Sequence, residues 1–408
     1  MPSIKTFNAR AASTREVIEQ LDAAIVAETG TASIVFTFYG CEHDEKALHT
    51  WVKSRFPTAA LIGGSSAGGL ITDQGFMDEQ GVGLLLVDDS EGDYGVAGAE
   101  LGDDAAQTAE NLLQQALDNC GCTGQLPELI WVYQAPGHEE EVIRGLRKIV
   151  GDNCPIVGGS AADNDVSGQW TQIGTDGVLA NGLVLSVLFP SSPIATAFQG
   201  GYEPVGPSGI VTGIGYHPAG DSGRVTASSG REILSIDGEP AAEVYNRWVN
   251  DLIGQRMQDG GSILADTTMF PLATDAGHVD GVSHYLLIHP ESVGEDGSLR
   301  TFCNLDEGAR IYAMKGETLR LVDRAGRVSE QARRALEADG KTVAGGLVVY
   351  CGGCKIAVDE DIRKVPAAIA EGLGDVPFIA CFTFGEQGRL IDRNVHGNLM
   401  ISTVAFAG

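Results

Sequence analysis

Positive charge is scarce in this chain: 27 Lys and Arg stand against 55 Asp and Glu, a formal net charge of −28. A nucleic-acid partner is thereby excluded, because binding a phosphate backbone rests on a basic surface and counterion release. Long apolar runs are missing too. The longest, such as Gly83–Val87 and Leu183–Pro190, have strand length, far short of the roughly 20 residues a membrane-spanning helix needs. The opening MPSIKTFNAR has no apolar signal region, so a cytoplasmic location is the expectation. Eight cysteines, scattered over 408 residues, are too few for a disulfide framework and are expected as thiols. No G-x-S-x-G, no H-E-x-x-H, no phosphate loop and no carboxylate pair of telling spacing occurs. The expectation is a protein that is not an enzyme. Kinase, receiver and cyclase signatures are absent as well, so any output passes through a separate partner.

What the chain has in excess is glycine, 55 residues, about twice the usual ~7% share. Some of it marks a pattern used three times: strand, helix, a second strand breaking into a Gly-rich turn, and another apolar strand. The first copy runs through Ser33–Phe38, Leu61-Ile62-Gly63-Gly64-Ser65 and Gly83–Val87; the second through Leu129–Tyr133, Ile156-Val157-Gly158-Gly159-Ser160 and Gly182–Ser186. A fainter third copy closes the chain as Leu347–Cys351, Pro377–Phe382 and Gly397–Ile401, with Gly385-Glu386-Gln387-Gly388 and His396 in place of the Gly-Gly-Ser turn. Function is to be sought where the copies differ.

Helices fit between these strands. Ser13 with Glu16 has the spacing of a capping box, followed by the apolar face Val17, Ile18, Leu21, Ile25. Asp104–Leu117, Glu139–Val150 and Ser329–Ala338 read as further helices, and Pro240 opens one after the turn Ile236-Asp237-Gly238-Glu239. The fold class is α/β, with α+β mixed sheets, in two domains built from repeated strand-helix-strand-Gly turn-strand units. A change to short segments around Pro190–Ser222 places the boundary so that the domains span 1–220, with the internal duplication, and 221–408.

The turn Gly158-Gly159-Ser160-Ala161-Ala162-Asp163, the segment Ile236-Asp237-Gly238-Glu239-Pro240-Ala241, and the closing Phe382-Thr383-Phe384-Gly385-Glu386-Gln387-Gly388 with His396-Gly397-Asn398 resemble the FIST family. The resemblance covers about residues 25 to 405 and implies tandem N- and C-terminal sensory domains. Free-standing proteins of this form include bacterial nitric-oxide sensors, so it further implies a haem cofactor, a small-molecule or gaseous ligand, and a partner histidine kinase or cyclic-di-nucleotide enzyme. Homo-oligomerisation is left open. The chain departs from the family's Cys-x-Gly-Arg sequence, having Cys351-Gly352-Gly353-Cys354.

A haem iron takes a neutral His nitrogen in an apolar pocket. Of the eight histidines, His396 is the first choice, since it precedes an apolar strand and belongs to the closing motif. A loop-stabilising role is the bland alternative. His289 and His217 follow, the former beside the strand Tyr285–Ile288 and the latter in the inter-domain stretch. Cys351 and Cys354 have the spacing of half a zinc site or a redox pair, with Cys381 and His396 available to complete a four-ligand set. Two buried thiols are the competing reading. Glu386, with Arg389 and the Gly-rich turns, would hold the charged ends of an amino acid or similar metabolite if the receptor is haem-free.

Overall fold

The computed structural model describes residues 2–28, 31–218 and 228–408. The first unit comprises β1 (Ser3–Arg10), α1 (Thr14–Glu28), β2 (Ile34–Gly40), α2 (Glu45–Arg55), β3 (Ala60–Ser66), the hairpin β4 (Leu70–Thr72) and β5 (Gly75–Met77), and β6 (Gly81–Asp88). The expected capping contact is present: the Glu16 N–H donates to Ser13 Oγ at 3.3 Å. The second unit repeats the plan with β7 (Asp93–Glu100), α3 (Ala105–Asn119), β8 (Leu129–Gln134), α4 (Glu139–Val150), β9 (Ile156–Ser160), the hairpin β10 (Gln172–Gly174) and β11 (Gly177–Leu179), and β12 (Gly182–Phe189).

The third unit opens with β13 (Ile194–Gly200) and is then interrupted by an insertion. Its strands are β14 (Glu203–Pro218), β15 (Ser228–Ile236), β16 (Glu239–Pro240), β17 (Gly261–Ser262), β18 (Leu272–Val279), β19 (Val282–Ile288), β20 (Pro290–Val293), β21 (Leu299–Thr301) and β22 (Arg310–Lys315). They form one nine-stranded sheet, accompanied by the short helices α5 (Ala241–Trp248), α6 (Arg256–Asp259) and α7 (Leu264–Thr267). The third unit resumes with α8 (Thr318–Ala338), β23 (Val343–Cys351), α9 (Gly352–Val358), α10 (Val365–Leu373), β24 (Phe378–Thr383), the hairpin β25 (Glu386–Leu390) and β26 (Arg393–Gly397), and β27 (Met400–Ala407).

Each unit contributes four strands in one order, β1-β6-β2-β3, β7-β12-β8-β9 and β13-β27-β23-β24. The last two of each set are parallel and the others antiparallel. A hairpin from another unit then extends each set to six strands: β10–β11 pairs with β3, β25–β26 with β9, and β4–β5 with β24. The exchange closes into a ring, and every third strand, which would otherwise be an open edge, is covered. The inner faces meet in one core, where Phe36, Phe38, Trp131, Tyr133, Leu347, Val349 and Ile379 pack together. The Phe36 and Trp131 rings stand edge to face at 5.8 Å. Helices α1 and α2, α3 and α4, and α8 with α10 cover the three outer faces.

Two expectations about turns are corrected. Gly63-Gly64-Ser65 and Gly158-Gly159-Ser160 lie inside β3 and β9, with Gly63 opposite Thr37 and Gly158 opposite Val132. A Cβ at Gly63 would come within 1.7 Å of the Thr37 carbonyl oxygen, and one at Gly158 within 1.9 Å of that of Val132. Close approach of parallel strands therefore requires these glycines. Glu386–Gly388 is likewise not a turn: it begins β25, where Glu386 pairs with Gly159 and Gln387 with Gly158.

Candidate functional site

The segments that follow the parallel strands converge with the inserted sheet around a cavity of about 670 Å³. Ala67 and Gly68 come from the end of β3, Asp163 to Val166 from beyond β9, Cys351 to Gly353 from the end of β23, and Phe384 from beyond β24. Leu264, His289, Glu291 and Phe302 close it from the insertion. Loops beyond the carboxyl ends of parallel strands are where α/β sheets present ligands.

Lys355, on α9, enters this cavity with its Nζ 5.5 Å from the centre of the Phe382 ring. Gly68, at φ +60, makes room for it, since a Cβ there would lie 2.1 Å from Nζ. Among the described residues Lys355 has no hydrogen bond or ion pair. Burial lowers its pKa from the ordinary lysine value, and the field of Glu79 partly opposes that. Glu291 is the converse: burial raises its pKa, Arg300 and Arg231 partly offsetting this, and its carboxyl has no hydrogen-bond partner among the described residues. Asp163 serves the loop instead, accepting the N–H groups of Val166, Gly168 and Gln169 at 2.6, 2.8 and 2.8 Å.

His289 lies 3.1 Å through Nε2 from both the Leu264 carbonyl and Thr267 Oγ1. A carbonyl only accepts, so Nε2 carries the proton. Burial pushes the pKa of the ring down to about 4, leaving a neutral imidazole whose Nδ1 faces Gly353, where a Cβ would sit 3.4 Å away.

His396 lies elsewhere, in β26, beside a second cavity of about 330 Å³ lined also by Glu140, Arg144, Arg147 and Cys303. Its Nδ1 is 2.9 Å from Glu140 Oε1, and its Nε2 is buried with no hydrogen-bond partner among the described residues. Arg231 Nη2 donates to Glu139 at 2.8 Å and Glu140 at 2.7 Å. Ser160 Oγ donates to Glu139 at 2.6 Å, and the Asn304 N–H to Glu140 at 2.9 Å. Burial alone would lower the imidazole's pKa, but Cys303, Glu140 and Glu139 hold it well above the ordinary value. Burial would raise the pKa of Glu140, yet Arg231 and His396 hold it below the carboxylate range. The group is an ion-pair network joining α4 to the insertion and to β26.

The remaining sequence candidates separate. Glu386 is buried and accepts the Thr383 hydroxyl at 2.8 Å and the Met400 N–H at 3.1 Å; burial raises its pKa well above the ordinary value, and it serves as a strand-to-strand link. The side chain of His217, near the end of β14, lies outside the described residues. Cys351 touches the cavity wall and accepts the Gly353 N–H at 3.3 Å, whereas Cys354 Sγ is 3.8 Å from the Tyr202 hydroxyl. Both are free thiols in the core beneath α8, while Cys381 belongs to the central core on the opposite face of the sheet. With His396 bound to Glu140, the four-ligand zinc set is not assembled.

Haem does not fit these residues. Nδ1 of His396 is bonded to Glu140, its Nε2 is packed against Gly385, where a Cβ would lie 2.5 Å away, and its cavity carries the charges of Glu140, Arg144 and Arg147. His289 donates its Nε2–H to Leu264 and Thr267, so only Nδ1 is left for an iron, and that atom faces Gly353, where a Cβ would sit 3.4 Å away. Among the described residues that line the larger cavity, Glu79, Asp163, Asp165 and Glu291 stand against one cation, Lys355, an unfavourable setting for two propionates. The sequence reading missed Lys355, Glu291, Glu140, Arg231 and Cys303. Only Lys355 had a local signal, its position directly after the altered Cys351-Gly352-Gly353-Cys354.

These features define an α/β ligand-binding protein whose cavity is shared by three repeated units and an inserted sheet. The chain belongs to the FIST family, with a FIST N domain matched over residues 33–214 and a FIST C domain over 241–389. Domains of this family are sensory, ligand-binding parts of signal transduction. A search of curated proteins found no match. Among solved structures, cyanuric acid hydrolase from A. caulinodans is similar over 100% of both chains, at 10% identity and TM-score 0.38. A second cyanuric acid hydrolase structure matches over 100% of both chains at 10% identity and TM-score 0.33. Phosphoribosylformylglycinamidine synthase II from Thermotoga maritima aligns with 84% of this chain and 74% of its own, at 7% identity and TM-score 0.25. Two of the solved structures that align along the whole chain are those of hydrolases, and this runs against the expectation of a non-enzymatic protein. Among the described residues no helix is long and apolar enough to cross a membrane.

Proposed function

We propose that the chain is a sensory receptor for a small zwitterionic metabolite of the amino-acid class. The ligand sits in the 670 Å³ cavity, and the bound state is passed by surface contact to a separate partner, a histidine kinase being the kind the family resemblance implies. One observation carries this reading: Lys355 and Glu291, opposite in charge and without hydrogen-bond partners among the described residues, face the same cavity. Lys355 receives the ligand carboxylate and Glu291 its ammonium group. Ligand binding satisfies two groups whose desolvation is otherwise only partly compensated, by the fields of Glu79 and of Arg300 and Arg231.

Calorimetric titration of the purified protein with a panel of L-amino acids tests this. At least one is expected to bind, with Lys355→Met and Glu291→Gln each weakening it by about 10- to 100-fold, the equivalent of a lost charged hydrogen bond. Binding unchanged in both variants would overturn the assignment, as would an absence of binding across the panel. Haemin titrated into the same protein tests the misfit of haem separately: a shifted Soret band that moves again on adding nitric oxide would overturn that misfit and favour haem-based sensing of nitric oxide instead.

A further inference from the structure

We propose that Glu140, Cys303 and His396 form a site for a divalent metal ion of the zinc class, with its fourth position open to the 330 Å³ cavity. The site is separate from the one assigned to the metabolite and does not depend on it. One donor atom from each of the three residues lies within 4.8 Å of the other two. They come from three parts of the chain: Glu140 from the first turn of α4, Cys303 from the segment between β21 and β22, and His396 from β26. Only the tertiary fold brings them together.

The donors are a carboxylate oxygen, a thiol sulfur and an imidazole nitrogen, a mixed set that suits Zn²⁺ better than the hard cations Mg²⁺ and Ca²⁺. Three protein ligands with a vacant position leading to a cavity is the arrangement of a zinc ion that receives an exogenous ligand. All three residues line that cavity, whose walls also include Ile143, Leu286 and Ile288.

Surrounding groups hold the set in place. Arg231 Nη2 occupies Glu140 Oε2 at 2.7 Å, so that Oε1 is the oxygen presented to His396 Nδ1 at 2.9 Å. The Asn304 N–H donates to Oε1 at 2.9 Å, fixing the carboxylate plane beside Cys303. Outer contacts of this kind orient metal ligands and tune their affinity. On binding, the ion takes the place of the proton shared by His396 and Glu140. The Cys303 thiol also gives up its proton, and with it the hydrogen bond to Asn398 Oδ1 at 2.8 Å.

Cobalt titration of the full chain reads the site, because a cysteine-ligated Co²⁺ ion has a thiolate charge-transfer band in the near ultraviolet. The expected result is a band that saturates at a single equivalent and is abolished by adding Zn²⁺. Cys303→Ser is expected to lose the band and to weaken Zn²⁺ binding by about 100-fold or more, given that outer contacts alone are worth 10- to 100-fold, whereas a Cys351→Ser, Cys354→Ser double variant keeps both. Should Cys303→Ser fail to fold, alkylation of the unsubstituted protein mapped by mass spectrometry decides the matter, with Zn²⁺ expected to protect Cys303. Absence of the band, its survival in folded Cys303→Ser, or Cys303 left unprotected by Zn²⁺ would each overturn the proposal.

Discussion

At the scale of single residues, the network around His396 shows how a side chain can be visible in the sequence while its role is not. His396 stands out as a lone histidine in a closing motif. What decides its chemistry is Glu140, 256 positions earlier in the chain, together with Arg231 in the insertion. No spacing rule links those positions. The consequence is a pH dependence whose sign follows from the shifts. The pKa of His396 is raised in the folded state, so its stabilising contribution is complete below the ordinary histidine value of about 6.5 and is lost as pH rises through the elevated one. Those of Glu139 and Glu140 are lowered, so theirs is present above the ordinary value of about 4.3 and is lost as pH falls through the depressed one. The difference in melting temperature between the natural chain and His396→Gln should be largest between about pH 5 and 6.5 and shrink toward alkaline pH. A difference independent of pH would show that His396 is not charged in the fold. Arg231→Met should cost about 3–5 kcal/mol in denaturant unfolding, because the buried Glu139 carboxylate keeps its charge and loses its partner.

At the scale of elements, strands and helices were largely legible because their apolar periods survive in each copy. The helix expected at Glu139–Val150 has those ends in the structure, and the one expected at Asp104–Leu117 is displaced by one or two residues. The helix expected at Ser329–Ala338 begins earlier, at Thr318, where Leu321, Val322, Ala325 and Val328 bury one face against the third sheet. The Gly-rich segments were misread for a physical reason. Glycine marks a turn by its backbone freedom and a strand crossing by its missing Cβ, and sequence alone does not separate the two. Gly158 is the second kind, and Gly158→Ala tests it. The added methyl meets the Val132 carbonyl at 1.9 Å, so the β8–β9 pair must separate. The loss should exceed the roughly 1–3 kcal/mol of ordinary core overpacking, read as a lower midpoint in urea with an unchanged slope. Gly121→Ala, at an αL position with nothing near its Cβ, should cost only the roughly 1–2 kcal/mol of left-handed backbone strain.

For the molecule as a whole, the cavity exists because the three units exchange hairpins. The composition of each copy hints at repetition, but nothing in a hairpin's sequence says which sheet it joins. Pairing β4–β5 with β24 brings Ala67 and Gly68 beside Cys351 and Lys355; pairing β25 with β9 brings Phe384 beside Asp163. Sheets therefore run across residue 220: β13 pairs with β27, β4 with β24, and β9 with β25. Expressed alone, residues 1–220 would present β9 without β25 and β13 without β27 and leave the β4–β5 hairpin undocked, open edges of the kind that associate with other chains. That half should elute as aggregate or as a higher oligomer in size-exclusion chromatography and lack a cooperative thermal transition. Co-expression with residues 221–408 should recover a 1:1 complex, because the missing strands return in trans. A monomeric first half that melts cooperatively would mean that the exchanged strands are dispensable to the fold, and with them the common origin of the ring and the cavity.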